Sequence, residues 1–169
     1  YVVMDSAYGE LACKTQGAGR LPEASSIVEE VVALLALKDL VGENILVTAG
    51  PTEEPLDPVR FITNLSSGKM GYALARVAHR RGARVTLITG PTDLPAPQVD
   101  KLIQIRTARE MYEAVLENFR DATIIIKAAA VADYRPALLS REKIKKKNQP
   151  LSLVLERNAD IIEEIGKVK

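Results

Sequence analysis

A glycine- and hydroxyl-rich stretch at residues 64–71 carries the residue types best suited to chemistry. Its two glycines, Gly68 and Gly71, let the backbone approach a ligand closely, and two serines stand just before them. A helix that starts here presents free N–H groups, which favour an anion. The stretch therefore predicts a phosphate site, and an ordinary capped helix start is the alternative interpretation. The predicted contacts are Gly50, Ser66, Ser67, Gly68, Lys69 and Met70.

The glycine stretch matches neither of the two common nucleotide-binding fingerprints. A Walker loop requires a glycine five residues before Gly68, which is missing, and a Ser or Thr where this chain has Met70. The spacing does not fit GxGxxG either, so the motif gives only weak support to dinucleotide binding.

Small residues and one carboxylate follow a later predicted strand, at residues 128–136. Alanines such as Ala129 leave room for a flat group, for example a base or a sugar. Asp133 could accept a hydrogen bond from a hydroxyl or bind a metal ion. Tight packing followed by a solvated turn is the alternative interpretation of this cluster.

Two further segments could contribute to the same site. Residues 143–147 contain four lysines, a run that is usually a solvated face, and Lys143 is the exception that we select because it lies just after the strand-end cluster. Asn158 stands at the start of a predicted helix, where capping and ligand binding are both consistent with its type.

Strand and helix patterns alternate from residue 44 onwards. Strands that are apolar on both faces, separated by amphipathic helices, are typical of a parallel sheet covered on both sides. We therefore expect an α/β fold with a Rossmann-like, mostly parallel sheet of about five strands and ligands at their carboxyl ends. The predicted strands are residues 45–47, 84–89, 102–106, 123–130 and 151–156, and the predicted helices are residues 71–81, 108–120 and 159–168.

The first 40 residues lack this alternation of strands and helices. Residues 1–22 are rich in glycine and predict a loop, with a short strand at residues 1–4. Residues 24–40 carry an apolar helical stripe, for which Ser25 and Ser26 are the N-cap candidates. We place a boundary at residues 39–43 and expect two domains, 1–40 and 41–169.

The bulk composition bounds the class of protein. The chain has 169 residues, of which 47% are hydrophobic and 27% charged, with a net charge of +1, which gives no general argument for nucleic acid or an anionic membrane as a partner. Its single cysteine, Cys13, excludes an intrachain disulfide and suits a reducing compartment such as the cytoplasm. No apolar run approaches the ~20 residues of a membrane span. Because it begins with Tyr1, we expect a segment of a longer protein.

Several short segments of the sequence resemble, in their order and spacing, the bifunctional coenzyme A biosynthesis family, which combines a phosphopantothenoylcysteine synthetase with a decarboxylase. They cover residues 44–169 and resemble the synthetase. The phrases around Cys13 and Gly17 to Arg20 resemble the substrate clamp of the flavin-dependent decarboxylase. The matching synthetase phrases are residues 47–52, 57–62, 64–71, 129–136 and 142–146.

The resemblance implies a reaction and a set of roles. The synthetase would join 4′-phosphopantothenate to cysteine with CTP and a divalent cation such as Mg²⁺, through an acyl-cytidylate. The decarboxylase would then use FMN to make 4′-phosphopantetheine, with Cys13 as proton donor. Asn64 would act on the acyl-nucleotide, Lys143 would be catalytic, and Asp133 would bind the metal. The remaining implied CTP contacts are Ala129, Asp133, Lys143, Asn158, Ala159, Asp160 and Ile161.

Departures from the family pattern shape the remaining expectations. Ala159 stands where proline is usual, and Lys14 where glycine is usual. The family's synthetase continues beyond the point where this chain stops. The flavin-binding core of the decarboxylase does not precede Tyr1 in this sequence. We therefore expect a C-terminally truncated sheet that binds CTP weakly and completes no catalysis alone, and homo-oligomers in the full-length protein. A non-catalytic Rossmann-like nucleotide- or NAD-binding module and a structural or interaction domain are the alternatives, and the choice between CTP and ATP stays open.

Overall fold

The computed structural model describes residues 1–146, 148 and 150–168. The chain divides into two compact units, Tyr1–Lys38 and Asp39–Lys169. In the described part of the chain, no helix has the length and apolar character needed to cross a membrane.

The first unit is a β-hairpin followed by one helix. Strands β1 (Ala7–Glu10) and β2 (Gln16–Arg20) pair antiparallel, so the predicted loop over residues 1–22 and the predicted strand at residues 1–4 are both wrong. Helix α1 (Ala24–Leu35) follows the hairpin and begins after Glu23 without a side-chain cap, so the expected serine cap is also wrong. It ends earlier than predicted, and the Lys38 ammonium donates to the Ala33 carbonyl in its last turn.

The second unit is built on a four-stranded parallel sheet, which confirms the α/β class. Its strands are β3 (Asn44–Ala49), β6 (Arg84–Thr89), β7 (Lys101–Gln104) and β8 (Ile124–Lys127), in the spatial order β7-β6-β3-β8. The two central strands, β3 and β6, are apolar and mostly buried because both of their faces are covered, whereas the edge strands β7 and β8 are partly exposed.

Helices lie on both faces of this sheet. Helix α2 (Lys69–Arg80) packs on one face, where Tyr72 and Ala75 contact the side formed by Val47 and Leu87. Helices α3 (Ala108–Asn118) and α4 (Ile161–Gly166) pack on the other, against Leu46 and its neighbours. Since successive residues of a strand point to opposite faces, the single strand β3 contributes to both cores.

Two antiparallel ribbons stand outside the sheet, and both were missed. Strands β4 (Glu53–Pro55) and β5 (Phe61–Thr63) form the first, and β9 (Tyr134–Pro136) and β10 (Leu155–Arg157) form the second. The strand predicted at residues 151–156 is therefore displaced to β10 and does not join the parallel sheet. The expected five-stranded sheet has four strands among the described residues.

Candidate functional site

The carboxyl end of β3 is packed so closely that its glycines cannot be replaced. A Cβ atom at Gly90 would lie 1.6 Å from the Pro51 carbonyl oxygen, and one at Gly71 would lie 2.4 Å from the Ala49 Cβ. Gly50 adopts a left-handed conformation with φ of +71°. Gly71 lets the first turn of α2 lie directly against the end of β3, which is the geometry of an anion site at a helix start, whereas Gly90 lets the end of β6 lie against Pro51.

The loop that enters α2 leaves the start of the helix without a side-chain cap. The N-cap is Gly68, with φ of +72°, and its N–H donates to the Ser66 hydroxyl at 3.4 Å. The Ser67 carbonyl accepts a hydrogen bond from Thr92 at 3.1 Å, and Lys69 and Met70 are exposed. No acidic residue lies in the first turn. The helix dipole and its first N–H groups are therefore available to a negatively charged ligand.

Asn64 joins this loop to the next strand end. Its amide nitrogen Nδ2 donates to the Ala130 carbonyl at 3.3 Å and to the Val131 carbonyl at 3.1 Å. Because two carbonyl oxygens can only be satisfied by a donor, the orientation of this amide is fixed. Its Oδ1 accepts no hydrogen bond from the described residues, so this oxygen is the polar atom left for chemistry.

A cavity of about 430 Å³ lies beside the strand-end cluster. It brings together six of the predicted nucleotide contacts: Ala129, Asp133, Asn158, Ala159, Asp160 and Ile161. Lys127 and Arg157 add two cations that the sequence did not single out. The cavity does not include Gly50, residues 66–70 or Lys143.

Asp160, rather than Asn158, caps helix α4. Its carboxylate accepts hydrogen bonds from the N–H groups of Ile162 at 2.9 Å and Glu163 at 3.3 Å. These backbone bonds, with the Lys127 ammonium 3.7 Å away, lower the pKa of Asp160. The suggestion that Asn158 is the N-cap is therefore wrong, and Asp160 stays ionised at the cavity edge at neutral pH.

Asn158 instead ties β10 to the strand-end cluster. Its Nδ2 donates to the Ala132 carbonyl at 2.8 Å, and its backbone N–H donates to the Asp133 carbonyl at 2.8 Å. Its Oδ1 accepts a hydrogen bond from Arg135 at 3.0 Å. These contacts fix the cavity wall at Ala132 and Asp133.

Thr52 holds the same wall from the other side and was missed. It is fully buried, and its hydroxyl accepts a hydrogen bond from the Ala132 N–H at 3.0 Å. The Thr63 hydroxyl donates to the Thr52 carbonyl at 2.7 Å. Thr52 directly follows Gly50 and Pro51 at the end of the first predicted strand of the sheet, and this position was the signal that could have identified it.

Lys143 lies on a loop that is attached to a buried carboxylate. The Asp57 side chain is wholly buried and accepts hydrogen bonds from the Arg60 guanidinium and from the Ile144 N–H at 3.0 Å. The Arg60 guanidinium also donates to the Ile144 carbonyl at 2.8 Å, and the Ser140 N–H donates to the Leu56 carbonyl. Lys143 is exposed between these two anchors. Lys147, the other end of the run, lies outside the described residues.

Replacing Asp57 by asparagine should destabilise this unit and release the lysine loop. The Arg60 guanidinium, followed by backbone N–H groups, lowers the pKa of Asp57, so its stabilisation is complete above the ordinary carboxyl pKa and is lost as the pH falls through the lowered one. We expect the melting temperature of Asp57→Asn to fall by roughly 5–10 °C at pH 7, because Arg60 loses its anion.

Thermal unfolding across pH tests this expectation. The difference from the wild-type protein should begin to shrink below about pH 4, where the Asp57 carboxyl of the unfolded chain takes up a proton, and should disappear as the pH falls through the lowered pKa of the folded state. Asp93→Asn is the control, because Asp93 is exposed and has no side-chain partner among the described residues. An equal loss in both variants, or a difference independent of pH, would contradict this account.

Cys13 lies in the other compact unit, in the turn between β1 and β2. Its Sγ is 3.1 Å from the Thr15 hydroxyl, and this hydrogen bond lowers the pKa of the exposed thiol. Lys14 has φ of +63°, a left-handed conformation that glycine adopts without strain. The backbone thus keeps the turn that a glycine would give, although the side chain differs.

A metal ion would depend on a bound substrate for most of its ligands. Among the described residues, no three His, Cys, Asp or Glu side chains lie close enough together to hold one. Asp133 is exposed at the cavity, and its carboxylate accepts no hydrogen bond from the described part of the chain. One carboxylate combined with substrate phosphates is how Mg²⁺ is commonly bound, so the residues fit a nucleotide-bound Mg²⁺.

Comparison with known proteins places these features in one family. The sequence profile of the DNA/pantothenate metabolism flavoprotein C-terminal domain matches residues 40–169. The chain is 45% identical to the coenzyme A biosynthesis bifunctional protein CoaBC of Vibrio cholerae over 168 residues, which are 98% of this chain and 42% of that protein. It is 46% identical to CoaBC of Escherichia coli K12 over 165 residues, 95% of this chain and 41% of that protein.

A solved structure gives the same result. The crystal structure of the C-terminal domain of a CoaBC protein superposes with a TM-score of 0.68 at 46% identity, covering 77% of this chain and 61% of that one. The chain thus spans about two fifths of the length of its curated relatives. It belongs to the DNA/pantothenate metabolism flavoprotein C-terminal domain family.

Proposed function

We propose that the second unit is the nucleotide-binding part of a CTP-dependent synthetase that joins 4′-phosphopantothenate to cysteine. The observation that carries the proposal is the position of Asn64, which bridges an uncapped helix start to the wall of a polar cavity. An anion site and a site for a flat polar group therefore meet at one residue.

The cavity and the helix start would hold different parts of CTP. About 430 Å³ is within the range of small-molecule sites, and the small side chains of Ala129 and Ala132 leave room for cytosine and ribose. The triphosphate would lie towards the first turn of α2, whose N–H groups favour anions. Asp133 would hold Mg²⁺, which would neutralise part of the triphosphate charge when bound.

The proposed reaction has two steps. A carboxylate oxygen of 4′-phosphopantothenate attacks the α-phosphorus of CTP, and pyrophosphate leaves. The amine of cysteine then attacks the acyl carbon, the bond to the phosphate oxygen breaks, and CMP leaves while the amine loses a proton. Lys143 would stabilise the charge that develops on the phosphate, and the Asn64 Oδ1 would accept a hydrogen bond from the attacking amine.

The first unit would serve the decarboxylase of the same protein. FMN, when bound, would supply the redox chemistry, and the contribution of this chain would be a proton from Cys13. The hydrogen bond from Thr15 lowers the pKa of this thiol, which makes it a better acid than an ordinary cysteine.

Replacing Cys13 by serine should separate the two activities in the full-length protein. The serine hydroxyl is a much weaker acid than the thiol, so we expect the flavin reaction to stall after carbon dioxide leaves and the formation of 4′-phosphopantetheine to fall by about 100-fold or more. Ligation should stay within about twofold, because Cys13 belongs to a different compact unit from Asn64 and the cavity. Formation of 4′-phosphopantetheine and release of pyrophosphate can be followed in parallel. A loss of ligation as large as that of 4′-phosphopantetheine formation would contradict this assignment.

Nucleotide binding tests the main proposal directly. With Mg²⁺ present, CTP should raise the melting temperature of the chain more than ATP does, and NAD⁺ should have no effect. An NAD site would need an acid after β6, where the chain has Ile88, Thr89 and Gly90, and the Thr89 hydroxyl already donates to the Gly90 carbonyl. A larger shift with NAD⁺, or no shift with any nucleotide, would contradict the proposal.

Pyrophosphate release by the full-length protein tests the reaction itself. Release should require both CTP and 4′-phosphopantothenate but not cysteine for the first turnover, because the acyl-cytidylate forms before the amine reacts. Asp133→Asn should raise the Mg²⁺ concentration needed for release, whereas Asp121→Asn should not, since Asp121 lies near the opposite end of the sheet with Asn44 and Arg84.

A further inference from the structure

Arg135 lies next to the cavity in a ribbon that the proposed mechanism does not use. It is paired across β9 and β10 with Glu156, and its Nε donates to the Glu156 carboxylate at 2.7 Å. Its Nη1 donates to the Asn158 Oδ1 at 3.0 Å. Asn158 lines the cavity, whereas Arg135 does not. Arg135 can therefore act on the cavity through Asn158.

The chemistry of the three groups fixes the amide of Asn158 in one orientation. A guanidinium carries donors only, so the Asn158 atom that faces it must be the oxygen. The nitrogen Nδ2 is then directed to the Ala132 carbonyl, to which it donates at 2.8 Å. Without Arg135 the amide is held only at its Nδ2 end, by the Ala132 carbonyl, and its Oδ1 loses the donor that holds the other end.

The cavity wall depends on this orientation. Ala132 is held on one side by Thr52, through its N–H, and on the other by Asn158, through its carbonyl. The Asp133 carbonyl is bonded to the backbone N–H of Asn158 at 2.8 Å. Loosening Asn158 therefore loosens one side of the wall next to Asp133, while the Thr52 contact remains.

We propose that Arg135, held by Glu156, is a positioning residue for the nucleotide cavity. It orients the Asn158 amide and so fixes the wall at Ala132 and Asp133 without touching the ligand. This inference rests on the proposed function, because the cavity is taken to bind CTP. The ion pair itself adds little stability, since the side chains of Arg135 and Glu156 are 39% and 48% exposed.

Calorimetric titration of the full-length protein with CTP and Mg²⁺ tests the proposal. Arg135→Gln should raise the dissociation constant about tenfold, the usual scale for losing a hydrogen bond to a charged group. Arg135→Lys, which keeps the charge and can reach one partner, should raise it about threefold. The matched control Arg120→Gln removes an exposed arginine at the end of α3 and should change it less than twofold. Melting temperatures should stay within about 2 °C of the wild-type value.

A double-mutant cycle with Asn158→Ala shows whether Arg135 acts through Asn158. In that background Arg135→Gln should change the dissociation constant by less than about twofold, because the residue that it positions is gone. A full tenfold loss in both backgrounds would mean direct contact with the nucleotide and would overturn the proposal. A lower melting temperature with unchanged affinity would overturn it as well. If the wild-type protein binds no CTP, the proposed function itself fails.

Discussion

Replacing Asn64 by aspartate should stop the amine step while CTP still binds. In the wild-type protein the Asn64 Nδ2 donates to the carbonyls of Ala130 and Val131. A carboxylate would place an oxygen against both carbonyls, and its charge would repel the anionic acyl-cytidylate. We expect the rate of amide formation to fall by about 100-fold or more, as for the loss of a catalytic contact that acts only in the transition state.

CTP affinity should change by less than about threefold in Asn64→Asp, because Thr52 and Asn158 hold the cavity wall independently of Asn64. The measurement is a single turnover with CTP and 4′-phosphopantothenate, in which the acyl-cytidylate should accumulate and then react slowly with cysteine. Asn118→Asp is the control, since it makes the same charge change at the other end of the sheet. If Asn64→Asp bound no CTP and formed no intermediate, Asn64 would belong to the nucleotide site instead.

The sheet and its covering helices could be predicted from the sequence because their signals are local. The strand at residues 84–89 has the predicted bounds, and the strand around Val47 and helices α2 and α3 lie within a few residues of theirs. Each has a continuous apolar run or an amphipathic period that depends on no distant partner. The glycine-rich stretch at residues 64–71 then marks the carboxyl end of the parallel strands.

The two ribbons could not be predicted because their pairing is not local. Tyr134 pairs with Arg157 and Phe61 with Pro55, in strands of three residues that lack a clear alternation, and β4 and β9 each end in proline. Such strands are too short to show a period, and their register depends on contacts elsewhere. The predicted strand at residues 151–156 was accordingly placed in the wrong sheet.

The roles within the site divide in the same way. Residue type and position suggested Asp133 and Lys143 as candidates and the family resemblance added Asn64, and the roles of all three stay predictions. Residue type was not enough for Thr52 or Arg135, whose importance rests on single hydrogen bonds to Ala132 and Asn158. A buried threonine or an arginine in a short strand looks ordinary until its partner is known.

Replacing Lys143 by glutamine should have the largest effect in the lysine run. Its loop is anchored on both sides, by the Ser140 N–H to the Leu56 carbonyl and by Ile144 to Asp57 and Arg60. Lys143 forms no ion pair with the described part of the chain, so its charge is available to a triphosphate. A positioned charge in a partly desolvated site is worth far more than a solvated one, and we expect ligation to fall by about 100-fold or more.

Lys146→Gln is the matched control for Lys143, because it removes the same charge from the same exposed run beyond the last anchor, Ile144. We expect its pyrophosphate release to stay within about twofold of wild type, the usual scale for a solvated charge. The two variants should be compared at low and high salt with saturating 4′-phosphopantothenate. A diffuse basic patch would give equal losses that vanish at high salt, since screening acts on solvated charges. A loss confined to Lys143 and retained at high salt is the result expected if this one ammonium is held against the phosphate in the transition state.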